Sequence, residues 1–323
     1  MDISVYDTSV GSLNSGDQII MKSVNDILQE IFKQSHIINF PTHQSLTQST
    51  LRRIRKNKHI FIGGTNLLSP YIGIRAKRNQ LKLGLIDALK FNNNVILLGV
   101  GSSNFNHKPN AITRLYYGKL LSKSFLHSVR DKKTKDFLKS IGYHNVVNTC
   151  CPTTWDINFK KIKCYKTSSA LITITDYKKD PIKDREMINI ISKNYKNINL
   201  WKQGSNDIQY IKTITTNKVF DAINIIPPSL SSLDNFLKQY SVSLNYIGTR
   251  LHAGIYCMNM GIKTYIVGVD ERARNISSEV GLPLIERSKI ENLENLINSD
   301  YIINCRLPID KISEWKNQFY KTT

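Results

Sequence analysis

The feature that most limits the fold is a recurring unit. A short apolar run stops at a glycine or a charged pair, and a segment of helical period follows within a few residues. Runs over 59–62, 94–98 and 124–128 end in Gly63-Gly64-Thr65-Asn66, Gly99-Val100-Gly101-Ser102 and Val129-Arg130-Asp131. Helical segments are expected over 81–91, 114–122 and 132–141. Strands alternating with helices specify a mostly parallel α/β sheet covered on both faces. Glycine just past a strand's carboxyl end lets a ligand approach the backbone closely.

The fullest example lies late in the chain. Val242, Leu244, Tyr246 and Ile247 form a strand-like run ending at Gly248. A helical segment carrying Leu251, Ile255, Cys257 and Met258 closes at Gly261, and a second strand follows over 263–269. Arg250 and His252 therefore sit at a strand-to-helix junction, beside the N–H groups and positive end of a helix. The plain alternatives are a surface ion pair for Arg250 and a packed histidine at 252. Two cation-capable groups two residues apart in a glycine-flanked loop favour an anion site.

A similar unit opens the chain: a strand over 3–6, the loop Gly11-Ser12-Leu13-Asn14-Ser15-Gly16-Asp17, then a helix over 18–32. The loop matches neither GxGxxG nor a Walker sequence, and Asp17 also suits a helix N-cap. The pattern loosens after Cys151-Pro152-Thr153-Thr154-Trp155 into a basic link over 158–167 and restarts with a strand at 170–175. We expect two Rossmann-like doubly wound domains, 1–160 and 161–305, facing a central cleft. A final helix with Ile312, Trp315 and Phe319, in a segment 306–323, is expected to pack back across it.

Composition narrows the function classes. Of 323 residues, 45 are Lys or Arg and 25 Asp or Glu, a formal net charge of +20 that favours anionic partners. The densest run is Arg52-Arg53-Ile54-Arg55-Lys56-Asn57-Lys58, either a solvated helix face or a contact with an anionic membrane. No basic stripe interleaved with aromatics supports nucleic-acid binding. The residues 1–11 resemble no signal peptide and no apolar run reaches membrane-spanning length, so a cytoplasmic protein is expected. Cys150, Cys151, Cys164, Cys257 and Cys305 form no CxxC or Cys/His set, which argues for reduced thiols and no metal site.

Several stretches together resemble the polysaccharide pyruvyl transferase family. They are Asn14-Ser15-Gly16-Asp17, Gly63-Gly64-Thr65, Ser128-Val129-Arg130-Asp131 with Thr134, Cys151-Pro152-Thr153, Gly248-Thr249-Arg250-Leu251-His252-Ala253 and Asp270-Glu271-Arg272. The resemblance implies a GT-B-like fold and transfer of a pyruvyl group from phosphoenolpyruvate to a sugar as a cyclic ketal, with no metal or cofactor. By motif match it puts Arg130, Arg250, Leu251, His252 and Arg272 on the donor. We place Asn14, Gly16 and Asp17 on the acceptor side of the first domain, and His252, Asp17 and Asp131 as candidate proton carriers. The acceptor would be a surface polysaccharide or its polyprenyl-diphosphate-linked precursor at the inner membrane face.

Two other classes compete. One is a GT-B nucleotide-sugar glycosyltransferase, suggested by the Glu-x7-Glu spacing of Glu271 and Glu279, although that pair lies one strand beyond the Arg-Leu-His helix. The other is a non-catalytic basic protein binding glycan or nucleic acid.

Overall fold

A computed structural model describes residues 2–72, 80–102, 108–158, 162, 167–240, 243–301 and 303–320. The chain divides into two compact units. Unit 1 holds Met1–Ser12, Ile20–Trp155 and Leu307–Thr323, and unit 2 holds Leu13–Ile19 and Asp156–Arg306.

Unit 1 is built on β1 (Asp2–Asp7), β2 (His36–Pro41), β3 (His59–Gly63) and β4 (Val95–Leu98), parallel in the order β2-β1-β3-β4. A parallel pair, β5 (His127–Val129) and β6 (Val146–Asn148), follows beside β4. The helices are α1 (Gly16–Ile31), whose first turn belongs to unit 2, α2 (Gln48–Lys56), α3 (Leu85–Ala88), α4 (Ala111–Leu120) and α5 (Lys132–Ser140).

The junction of β4 and β5 relies on side chains. The Leu97 N–H donates to Nδ1 of His127 (3.2 Å) and the Gly99 N–H donates to Ser128 Oγ (2.9 Å), with a lone parallel bridge between Val100 and Val129. Because Nδ1 accepts, Nε2 carries the proton and donates it to the Ser122 carbonyl at 2.7 Å. His127 is thus a neutral, fully buried strut, and burial drives its pKa down to about 4.

Unit 2 is a single parallel sheet of β7 (Ser169–Thr173), β8 (Asn197–Trp201), β9 (Ile223–Ile226), β10 (Asn245–Gly248), β11 (Lys263–Gly268) and β12 (Leu284–Glu286). Their order is β12-β11-β10-β7-β8-β9. The chain builds outward from β7 to β9, then returns to the other side of β7 with β10, so strand order reverses between β7 and β10. The loops leaving those two strands diverge there, which opens the crevice where α/β proteins hold ligands. The helices are α6 (Pro181–Asn194), α7 (Asp207–Ile214), α8 (Asn217–Asp221), α9 (Leu230–Tyr240), α10 (Leu251–Asn259), α11 (Glu271–Val280) and α12 (Leu293–Asn298). Helix α10 seats tightly on the sheet at Gly254, where a Cβ would lie 2.6 Å from Ile266 Cγ1.

The last helix, α13 (Ile309–Tyr320), returns to unit 1. It buries Ile312, Trp315 and Phe319 in a cluster with Ile3, Val5, Phe61 and Trp155. No described helix is long and apolar enough to cross a membrane.

The structure departs from the sequence reading in places. Strand β2 was not expected: it is an edge strand, with only Phe40 buried, so its apolar alternation is faint. The helix expected over 81–91 contracts to α3 and a 3-10 turn over Leu89–Phe91, because Gly84 is still extended and starts the helix four residues late. Residues 13–19 group with unit 2 and not with the first domain. Val242, Cys164 and most of the 158–167 link lie outside the described residues.

Unfolded histidine titrates near 6.5 and folded His127 near 4, so between these values the unfolded chain binds the extra proton. Stability of unit 1 is therefore full above pH 6.5 and falls as pH drops towards 4, by at most about 3 kcal/mol from this group. Buried His59, also lowered to about 4, acts in the same direction. Urea midpoints over this range should show the loss, and an NMR titration of His127 near 6.5 would contradict it.

Candidate functional site

Arg250 stands at the strand-order reversal of unit 2. Strand β10 must end in glycine because a Cβ on Gly248 would lie 2.3 Å from Thr173 Oγ1 of β7. The next turn carries Arg250 into the sheet edge, where its side chain is 6% exposed. Nε donates to the Ile174 carbonyl (3.0 Å), and Nη2 donates to Asp207 Oδ1 (2.6 Å) and Asp176 Oδ1 (3.2 Å). Asp207 is fully buried, and its Oδ2 also accepts the N–H groups of Gln203 (3.0 Å) and Gly204 (2.7 Å). The guanidinium thus ties together the loops following β7, β8 and β10. Gly204 leaves space for it, since a Cβ there would lie 2.6 Å from Nη2. Among the described residues Nη1 has no hydrogen-bond partner.

Tyr177 connects this arginine to a second one. The Arg250 Cζ lies 5.3 Å from the centre of the Tyr177 ring, a cation–π contact. The tyrosine hydroxyl accepts from Arg272 Nη2 (3.1 Å) and donates to Asp270 Oδ2 (3.3 Å). Burial raises the Tyr177 pKa, keeping it a neutral donor. Arg272 also pairs with Asp270 at 3.2 Å, and its Nε is buried without a partner among the described residues. Burial opposes the charge of Arg272, but Asp270, Tyr177 and Asp17 outweigh it and raise the pKa. Asp17 therefore shares the electrostatic environment of Arg272.

Helix α10 begins at this edge with no side-chain cap, as do α7 and α12, whereas Asp180 caps α6, Thr216 caps α8 and Asp270 caps α11. Uncapped first-turn amides are a ready seat for an anion. His252 lies in that turn, 6% exposed, and Leu251 is a buried apolar residue beside it. The first turn of α1 also lies here. The Ser15 N–H donates to the Gln203 carbonyl (3.2 Å), Ser15 Oγ donates to the Pro228 carbonyl (2.8 Å), and Gln18 Oε1 accepts the Leu230 N–H (2.8 Å). Asn14 Oδ1 accepts the Gly16 N–H at 3.1 Å, and its Nδ2 donates to Asp17 Oδ1 at 3.4 Å. Asp17 is inside the first helical turn and is not the N-cap. A Cβ on Gly16 would press within 3.1 Å of Gln203 Oε1, and the Gln203 Nε2, on a side chain 2% exposed, has no partner among the described residues.

Arg130 and Asp131 belong to unit 1. Arg130 is 3% exposed, donates from Nη2 to Asn66 Oδ1 and lies 3.5 Å from Asp131 through Nε. It fills space left by Gly101, whose Cβ would lie 2.2 Å from Nε. Asp131 caps α5 by accepting the Thr134 N–H at 2.7 Å, and Thr134 Oγ1 accepts the Ser102 N–H at 2.9 Å. Cys150 and Cys151 are buried thiols; Pro152 packs against Gly99, at φ 62°, where a Cβ would lie 2.1 Å from Pro152 Cδ.

Of the residues singled out in the sequence, Asn14, Gly16, Asp17, Arg250, Leu251, His252 and Arg272 all belong to unit 2. The expectation that 14, 16 and 17 stand on the first domain is corrected by their bonds to the loops after β8 and β9. Asp131 uses Oδ1 for the helix cap, and its Oδ2 lies 3.5 Å from Arg130 Nε. Sequence reasoning missed Asp176, Tyr177, Gln203 and Asp207. The first two follow a strand end and were accessible to the rule that found Arg250; the others required knowing which loops meet. Glu271 and Glu279 both lie on α11, one strand beyond α10.

A family model described as polysaccharide pyruvyl transferase matches residues 14–271. No curated protein matches the chain by sequence. Among solved structures, the UDP-GlcNAc 2-epimerase of Methanocaldococcus jannaschii in complex with UDP-GlcNAc and UDP has a TM-score of 0.58 at 14% identity over 100% of both chains. MnaA of S. aureus with UDP gives 0.54 at 12% identity, over 93% of this chain and 88% of that one. The Neisseria meningitidis UDP-GlcNAc 2-epimerase bound to UDP-GlcNAc gives 0.51 at 12% identity over 100% of both. These likenesses show the fold: Rossmann-like α/β units of the GT-B type.

Asp207→Ala should destabilise unit 2 by about 3–5 kcal/mol, because it strands a buried guanidinium and two amides. Adding Arg250→Ala should recover part of that loss, with a coupling of about 1–3 kcal/mol in a denaturation double-mutant cycle.

Proposed function

Because the chain belongs to the polysaccharide pyruvyl transferase family, we propose that it moves a pyruvyl group from phosphoenolpyruvate to a sugar of a surface polysaccharide or its lipid-linked precursor, forming a cyclic ketal. The observation that carries this reading is the uncapped start of α10 beside Arg250, with Arg272 reached across Tyr177. Asp176, Asp207 and Asp270 neutralise much of the arginine charge. Recognition then depends on directed N–H donors, which suits a small ligand bearing a carboxylate and a phosphate around one carbon. Arg250 Nη1, Arg272 Nε and the first amides of α10 are those donors. Arg130 serves as a second donor-binding arginine by the family resemblance alone.

In the proposed reaction the donor's methylene carbon takes a proton and a sugar hydroxyl attacks the central carbon, giving its proton to a base. The carbon–oxygen bond to phosphate then breaks with its electron pair, and a second hydroxyl closes the ring. One hydroxyl proton replaces that delivered to the methyl group and the other leaves with phosphate, so the sum is ketal plus inorganic phosphate. Asp17 is the base we assign, held at the start of α1 by Asn14 and close enough to sense Arg272. His252, in the first turn of α10, supplies the proton to the departing phosphate. Gln203 Nε2, beside Gly16, is a donor for an acceptor hydroxyl.

With phosphoenolpyruvate and glycan acceptors, phosphate release should accompany a new ketal methyl signal by NMR. Arg272→Gln should raise the KM for phosphoenolpyruvate at least about tenfold, and Asp17→Asn should lower kcat by about 10²–10⁴ with binding retained. Thermal stabilisation by UDP or GDP, with none by phosphoenolpyruvate, would replace this reading with a nucleotide-sugar glycosyltransferase. Salt-sensitive nucleic-acid binding with no turnover would replace it with a non-catalytic basic protein.

A further inference from the structure

The basic run over 52–58 plays no part in the site described above. In α2, Leu51 and Ile54 turn into the core of unit 1. At 100° per residue, Arg52, Arg53 and Lys56 fall on the opposite half of the helix, and all are exposed, as is Lys58 just beyond it. None of these four makes an ion pair with a described residue. The run is therefore an uncompensated stripe of positive charge.

Helix α3 adds apolar surface beside it. Gln48, on the first turn of α2, donates to Asp87 Oδ1 of α3 at 3.0 Å and accepts from Lys90 Nζ at 3.3 Å. On this short neighbouring segment Ile86 is 71% exposed and Leu89 39% exposed. Lys90, one turn after Ile86, is also exposed. Cations next to protruding aliphatic side chains suit a bilayer, where charge meets anionic headgroups and the aliphatic groups enter the interface. Single-stranded nucleic acid would instead call for exposed aromatic rings on which bases stack.

We propose that the α2–α3 face of unit 1 docks on an anionic phospholipid surface, with Arg52, Arg53, Lys56 and Lys58 on the headgroups and Ile86 and Leu89 inserted. This attachment is independent of what unit 2 transfers and stands whether or not the donor is phosphoenolpyruvate.

The test is co-sedimentation of the full chain with vesicles of phosphatidylcholine alone or with about one-third phosphatidylglycerol. Binding is expected only to the anionic vesicles, weakened by raised salt. The triple variant R52Q/R53Q/K56Q should lower the partition coefficient on the order of 100-fold, and I86S/L89S at least about tenfold. A control, K193Q/K218Q/K238Q, removes the same charge from exposed positions of unit 2 and should bind like the parent. Equal loss in the control would overturn the proposal, since attraction would then follow net charge and not this face. Equal binding to neutral vesicles, or no effect of either α2–α3 variant in a protein shown to be folded by circular dichroism, would also overturn it.

Discussion

The candidate site at the sheet edge of unit 2 depends on one buried ion pair, Arg250 with Asp207. Desolvating a guanidinium and a carboxylate costs several kcal/mol per ion, and their attraction at an effective dielectric of about 20 returns roughly the same order. The pair therefore adds little to net stability. Its contribution is positional: Asp207 also gathers the amides of Gln203 and Gly204, and Arg250 gathers the Ile174 carbonyl and Asp176. Loops that follow separate strands are held in one arrangement, and the reversal of strand order at β7 and β10 gives that arrangement an opening to face. Nε and Nη2 carry all of these bonds, so the bracing of the loops uses only part of the guanidinium.

Each unit uses glycine in the same way. Gly204 makes space for Arg250, Gly101 for Arg130 and Gly16 for Gln203. In all of these the missing Cβ is replaced by a buried polar side chain, not by a ligand. A glycine beyond a strand end is often read as space for substrate; here much of that space is filled from within the protein. Gly99 is a different case, with a positive φ of 62° and Pro152 packed where a side chain would begin.

Much of this was legible in the sequence where the information is local. Strand ends marked by glycine located the edge of each sheet; the cap that Asp131 gives Thr134, three residues on, is equally local but was not among the expectations for that residue. The grouping of Asn14 to Asp17 with unit 2 was not legible. It rests on hydrogen bonds from Ser15 to Gln203 and Pro228, partners about two hundred positions away that no periodicity announces. Arg250 was readable as a surface ion-pair partner or an anion-binding residue, but its buried pairing was not, because Asp207 becomes its partner only when the loop after β8 meets the turn after β10. Strand β2 was hidden for another reason: with one face exposed at a sheet edge, its residues carry no strong hydrophobic alternation.

The chain's net charge is not reproduced around the arginines of unit 2. A net charge of +20 suggests strongly positive surroundings for any buried arginine, yet Arg250 and Arg272 are matched by Asp176, Asp207 and Asp270, with Asp17 also acting on Arg272. Ion pairs buried in this way are only weakly screened by salt. The surplus cations lie on the surface, among them the unpaired stripe of α2, where salt screens them over about 10 Å. The surface cations are thus open to screening by salt, whereas the buried arginines keep short, directed bonds to Asp176, Asp207 and Asp270.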